Sequence, residues 1–121
     1  MVKAVTDKRQ AGDKYEDEAI HFLTRHGLTL LCRNYLCKAG EIDLIMKHDE
    51  AIVFVEVRYR KSQQYGGAAM SVTAAKQRKI ALAALHYLQS NRCDNTPCRF
   101  DVLAFSERDQ QWLQDAFHSP L

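Results

Sequence analysis

The chain has 121 residues, 46% hydrophobic and 26% charged, a balance that fits a globular domain and excludes general disorder. A chain of this size buries roughly two-thirds of its unfolded surface, enough for one core but not for a second domain. Lys and Arg number 17 against 15 Asp and Glu, so the net charge of +2 neither demands nor excludes a polyanionic partner.

Residues 1–11 are polar and read as a flexible leader, followed by one domain over 12–117 and a tail over 118–121. The start lacks the apolar core of a secretory signal. No run approaches the ~18 apolar residues of a membrane span. The expectation is a cytoplasmic protein with no membrane partner. A first helix is predicted over residues 13–26, stopped by Gly27. Tyr15, Ala19, Ile20, Phe22 and Leu23 form its apolar stripe, and Glu16 falls inside that stripe. A strand over 28–35 follows, then a turn at Ala39-Gly40.

Residues 41–47 alternate, with Ile42, Leu44 and Met46 on one face and Glu41, Asp43 and Ile45 on the other. His48-Asp49-Glu50 forms a loop before the most β-prone segment, 51–59. Its run Ile52-Val53-Phe54-Val55-Glu56-Val57 predicts a central strand buried on both faces. Residues 63–69, with Gly66-Gly67, read as a mobile loop. Thr73 is placed to cap a long helix reaching Asn91, with Ile80, Ala83, Ala84 and Tyr87 as its core stripe. Lys76 lies on that stripe one turn earlier. Strands over 99–106 and 111–116 complete the chain, the last at a sheet edge. The fold class is α/β, a single domain with a mixed central sheet of about five strands flanked by helices.

The cysteines, Cys32, Cys37, Cys93 and Cys98, fall in two Cys-x4-Cys pairs. Zinc sites use tighter spacing, and no histidine sits at a matching interval, so reduced thiols are expected.

Glu56 interrupts the most apolar strand, and Asp43 interrupts its neighbour. An unpaired buried carboxylate is costly. With an even-numbered hairpin loop, residues whose numbers sum to 99 face each other, which puts Asp43 opposite Glu56. Cross-strand Cβ atoms lie about 4.5–5.5 Å apart, where like charges repel. A divalent cation reverses that sign, and Mg2+ is held by one or two carboxylates plus substrate oxygens. The alternative is a structural ion pair for each acid, with Arg58 and Arg99 as the available partners.

Gly40-Glu41-Ile42-Asp43-Leu44-Ile45 followed by Phe54-Val55-Glu56-Val57-Arg58 resembles the Asp…Glu-x-Lys core of restriction-endonuclease-like nucleases. Further segments are Gly12-Asp13-Lys14-Tyr15-Glu16, Tyr65-Gly66-Gly67-Ala68-Ala69, Ser71-Val72-Thr73, Lys76-Gln77 and Arg99-Phe100-Asp101-Val102. With Trp112-Leu113-Gln114-Asp115-Ala116-Phe117 they resemble the YraN family of predicted endonucleases, over about residues 12–117. That family is related in fold to archaeal Holliday-junction resolvases, which are dimers. The resemblance implies a restriction-endonuclease-like fold and hydrolysis of phosphodiester bonds, with DNA as the first candidate, branched DNA included, and a homodimer as a candidate assembly. It implies Mg2+ or Mn2+ held by Asp43, Glu56 and the Val57 carbonyl, with Glu16 brought to the metal from the first helix.

One position departs from the nuclease pattern, which expects Lys where this chain has Arg58. Arginine stabilises charge but stays protonated and is a poor base. Either the metal alone activates water, or Lys76 takes the missing role, or the site binds without cutting. A non-catalytic nucleic-acid-binding module and an interaction adaptor therefore stand as alternatives to the enzyme.

Position resolves the mild net charge into opposite halves. From 57 to 92 stand Arg58, Arg60, Lys61, Lys76, Arg78, Lys79 and Arg92 with no acid, whereas 41–56 carries five acids and only Lys47. Carboxylates that hold a cation beside bases that hold a phosphate backbone suit a nuclease. Arg60, Lys61, Lys76 and Lys79 are the candidate backbone contacts, with Tyr65 as a stacking group. No histidine is assigned a role in the site.

Overall fold

The segment with the strongest β character becomes the middle of the sheet. A computed structural model describes residues 7–59 and 72–121, with side chains of the first helix described from Lys14 onward. The elements in chain order are α1 (Asp7–Arg25), β1 (Thr29–Cys37), β2 (Gly40–His48), β3 (Ala51–Tyr59), α2 (Ala74–Ser90), β4 (Cys98–Phe105) and β5 (Gln110–Phe117). The five strands are ordered β1-β2-β3-β4-β5. Only the β3/β4 pair is parallel. A parallel pair needs a long crossover, and α2 lies within that connection. The result is a single α/β domain, a mixed five-strand sheet with two helices, consistent with a restriction-endonuclease-like fold.

Each sheet face has its own core. On one face Ala19 and Leu23 of α1 pack with Leu44, Met46, Val53, Val55, Leu103 and Phe105. On the other, Ile80, Ala81, Ala83, Ala84 and Leu88 of α2 pack with Ile45, Ile52, Phe54, Phe100, Val102 and Ala104. Strand β3 contributes to both clusters, which explains its nearly unbroken apolar run. Helix α1 ends in a Schellman turn: Leu28 N–H donates to the Leu23 carbonyl and Gly27 N–H to that of Thr24, with Gly27 at φ +93°. Thr73 caps α2 by accepting the Lys76 N–H at 3.2 Å.

Three sequence expectations need correcting. Helix α1 begins at Asp7, so it takes in part of the segment read as a leader. The hairpin turn is Asp49-Glu50 alone, with His48 already paired to Ala51. Ile42 does not share a face with Leu44 and Met46. It packs with Ile45 on the α2 side, because β2 loses its alternation at Asp43, opposite a break in β1 that lies beyond the β1 bulge between Leu30 and Cys32. Asn34, in β1, has a left-handed φ of 54°. The ladder pairs Arg33 with Leu44 and Tyr35 with Ile42 but skips Asn34 and Asp43 between them. A left-handed residue reverses the side on which its strand neighbours emerge, and asparagine is among the few side chains that tolerate that conformation.

Among the described residues, no helix is long and apolar enough to cross a membrane. All four cysteines are free thiols.

Candidate functional site

The β2/β3 register sums to 99 from His48↔Ala51 to Leu44↔Val55 and stops there. Asp43 and Glu56 would be the next pair, but the two strands part there. The Asp43 carboxylate fills the gap by accepting the Val57 N–H at 2.9 Å. The N–H and C=O of one strand residue leave on the same side, so the Val57 carbonyl faces the same opening. Glu56 is buried, with 5% of its surface exposed, and Asp43 is half-buried.

Burial, then the charge of Glu56, push Asp43 from its ordinary value of 3.8 up to about 7. The Val57 N–H and the Lys76 charge oppose that shift. The folded chain therefore holds a proton on Asp43 that the unfolded chain releases near pH 4. In EDTA, this group's contribution to stability is fully present below about pH 4. It falls by up to about 1.4 kcal/mol per pH unit as pH rises and levels off above about pH 7. Urea unfolding at steps between pH 4 and 8 is the check.

Two cations flank Glu56. Arg58 Nη1 lies 3.4 Å and Lys76 Nζ 3.6 Å from its Oε2. Lys76 occupies the third helical position of α2, where the positive end of the helix dipole disfavours a cation. Its ammonium is offset there by Glu56 across the sheet face. Lys76 is thus brought to the carboxylates from another element, and Arg58 from two residues along β3.

Glu16 reaches the opening from α1. Its side chain is 13% exposed and pairs with Arg33 Nε at 3.4 Å. Its carboxyl is raised, first by burial and then by the charge of Asp43, while hydrogen bonding from Asn34 opposes the rise. Glu16 is therefore both an ion-pair partner of Arg33 and an electrostatic neighbour of Asp43. Arg33 Nη1 also holds Asp17 at 2.5 Å. Arg33 and Asn34 escaped the sequence reading. The signal available was a polar pair set inside the otherwise Leu-rich stretch before Tyr35.

Among the described residues, no three His, Cys, Asp or Glu side chains converge as a metal cluster. Within the same residues every buried polar side-chain atom has a hydrogen-bond partner. The donor chemistry nonetheless fits one hard divalent cation: the neighbouring carboxyls of Asp43 and Glu56, with the Val57 carbonyl beside them.

The remaining candidates are Lys79, Arg60, Lys61 and Tyr65. Lys79 is exposed on α2, with its Cβ close to Gly40. Arg60, Lys61, Tyr65 and the Gly66-Gly67 loop lie outside the described residues. Tyr59, at the end of β3, stacks on the Tyr15 ring at 4.8 Å between centroids. Arg99 is not a partner of Glu56 or Asp43. It binds Asp101, which is fully buried and also accepts from Trp112 Nε1 at 3.0 Å and the Asp115 N–H at 2.9 Å. His48 joins that network through Arg99 at 3.0 Å.

The family model described as "Uncharacterised protein family UPF0102" matches residues 15–105. The chain belongs to the UPF0102 family. This is the YraN family of the resemblance drawn from the motifs. A UPF0102 protein of Cupriavidus pinatubonensis is 53% identical over 116 residues, 95% of this chain and 89% of its own length. One from a Janthinobacterium species is 47% identical over 114 residues, 94% and 92% of the two chains. One from Saccharophagus degradans is 51% identical over 109 residues, 89% and 92%. The UPF0102 match takes in Glu16, Asp43, Glu56, Arg58 and Lys76, so the residues at the opening all lie within it.

Proposed function

We propose that the chain is a nucleic-acid-binding protein and a metal-dependent endonuclease that hydrolyses phosphodiester bonds, DNA first among its substrates and branched DNA included. The observation that carries this is the contact of Asp43 with Glu56 where β2 and β3 part, with Lys76 delivered to the same carboxylate from α2. Asp43, Glu56 and the Val57 carbonyl would hold Mg2+ or Mn2+, with Glu16 in support beside Asp43. When bound, such a cation supplies a Lewis acid that polarises a phosphoryl oxygen and acidifies water. The chain's own residues do the rest. Arg58 and Lys76 place positive charge where negative charge develops on the phosphate. Lys79, exposed on α2, would meet the phosphate backbone, and by their residue type Arg60 and Lys61 would do the same and Tyr65 would stack on a base. The test is incubation of the protein with branched, flapped, single-stranded and duplex DNA and Mn2+. Cutting that disappears in Asp43→Ala and Glu56→Ala supports the proposal. Absent cutting, or cutting unchanged by both substitutions, rejects it.

Lys76 and Arg58 divide the role of the usual lysine. Lys76→Ala is expected to lower the cleavage rate by roughly 10²-fold, the scale of losing one charge-stabilising group, while Arg58→Lys retains cleavage. Single-turnover rates at saturating Mn2+ give the comparison.

The double pairing of Glu56 with Arg58 and Lys76 also favours a second reading, a non-catalytic module in which these are structural ion pairs. It predicts salt-sensitive DNA binding without cleavage.

A further inference from the structure

We infer that Asn34 is the positioning residue that opens the sheet at Asp43: its left-handed backbone breaks the β1/β2 ladder and frees the Asp43 carboxylate to take the Val57 N–H. The inference rests on the reading of Asp43 and Glu56 as the site, but its geometry stands separately. Arg33 and Leu44 are paired, and so are Tyr35 and Ile42, yet Asn34 and Asp43 between them are not. Arg33 reaches Glu16 of α1, while Tyr35 packs on the α2 side. Leu44 belongs to the α1-side cluster and Ile42 to the α2-side one. Both strands therefore change faces at the same step, and Asn34 is the residue there with positive φ.

In a regular strand, residue 43 would continue the alternation and pair across to residue 56. The missing step instead leaves Asp43 in the plane of the sheet, where its Oδ2 replaces a backbone acceptor for Val57. That placement makes one carboxylate accessible from both sides, to Glu16 from α1 and to Lys76 from α2. A β-branched residue strongly resists positive φ, whereas glycine adopts it without steric cost.

Asn34→Gly and Asn34→Val separate the backbone role from general disturbance. Hydrogen exchange of the Val57 amide, followed by NMR in the full chain with Phe54 as the internal reference, reads the Asp43 contact directly. Asn34→Gly should leave Val57 protection within about twofold of the parent, and Asn34→Val should speed its exchange by roughly tenfold or more relative to Phe54. Mn2+ affinity should follow the same order, kept in Asn34→Gly and lost in Asn34→Val. Unchanged Val57 exchange in Asn34→Val, or equal loss in both variants, overturns the inference. If the parent chain binds no Mn2+, the metal-site reading fails, while the Val57 comparison still decides the role of Asn34.

Discussion

Asp43→Asn should make the protein more stable and inactive at once. At pH 8 the parent must ionise a carboxyl that burial and Glu56 hold protonated up to about pH 7. An amide in its place removes that repulsion and can still accept the Val57 N–H. The expected gain is on the order of 1–3 kcal/mol at pH 8 in EDTA, read from urea midpoints at constant m-value. The difference between variant and parent should shrink as pH falls towards 4, because both then carry a neutral group at position 43. Cleavage should fall below detection in the same variant. A residue whose replacement improves the fold and ends activity is retained for chemistry. A loss of stability at pH 8 would instead assign Asp43 to the fold.

Asp101 should behave in the opposite way. It is fully buried, and its two oxygens take the Arg99 guanidinium, the Trp112 indole and the Asp115 N–H. Asp101→Ala strands Arg99 and two further donors, and breaking a buried pair in this way costs about 3–5 kcal/mol. Asp101→Asn keeps an acceptor and should cost less. Urea unfolding measures both. Mn2+ binding by the folded fraction should be unchanged, because the network joins β4 to β5 away from Asp43. An effect on Mn2+ binding with little effect on stability would reverse this assignment.

The contrast between the two acids explains how far the sequence could be read. The β3 strand was legible because its apolar run has one structural solution, a strand covered on both faces. The approach of Asp43 to Glu56 was legible only on condition of an even-numbered loop, a condition that the two-residue turn Asp49-Glu50 meets although the sequence pattern had drawn the loop from His48. Lys76 was legible from helical periodicity alone. Asn34 was not, since a single left-handed residue leaves no trace in alternation, and the face assigned to Ile42 was wrong for the same reason. Asp101 interrupts an apolar strand just as Glu56 does. Its partners come from β5 and from Arg99, so its structural role depends on a strand pairing that local pattern does not reveal. The start of α1 at Asp7 was missed because Asp7-Lys8-Arg9-Gln10 has no apolar period to detect.

Asp43 and Glu56 together should hold a divalent cation. Titration calorimetry with Mn2+ at pH 7.5 tests it most directly, on the parent chain, Asp43→Asn and Glu56→Gln. Saturable binding by the parent is expected, weakened by roughly tenfold or more in each variant, the loss that follows when a charged ligand is removed. Heats that are identical in all three proteins would contradict it.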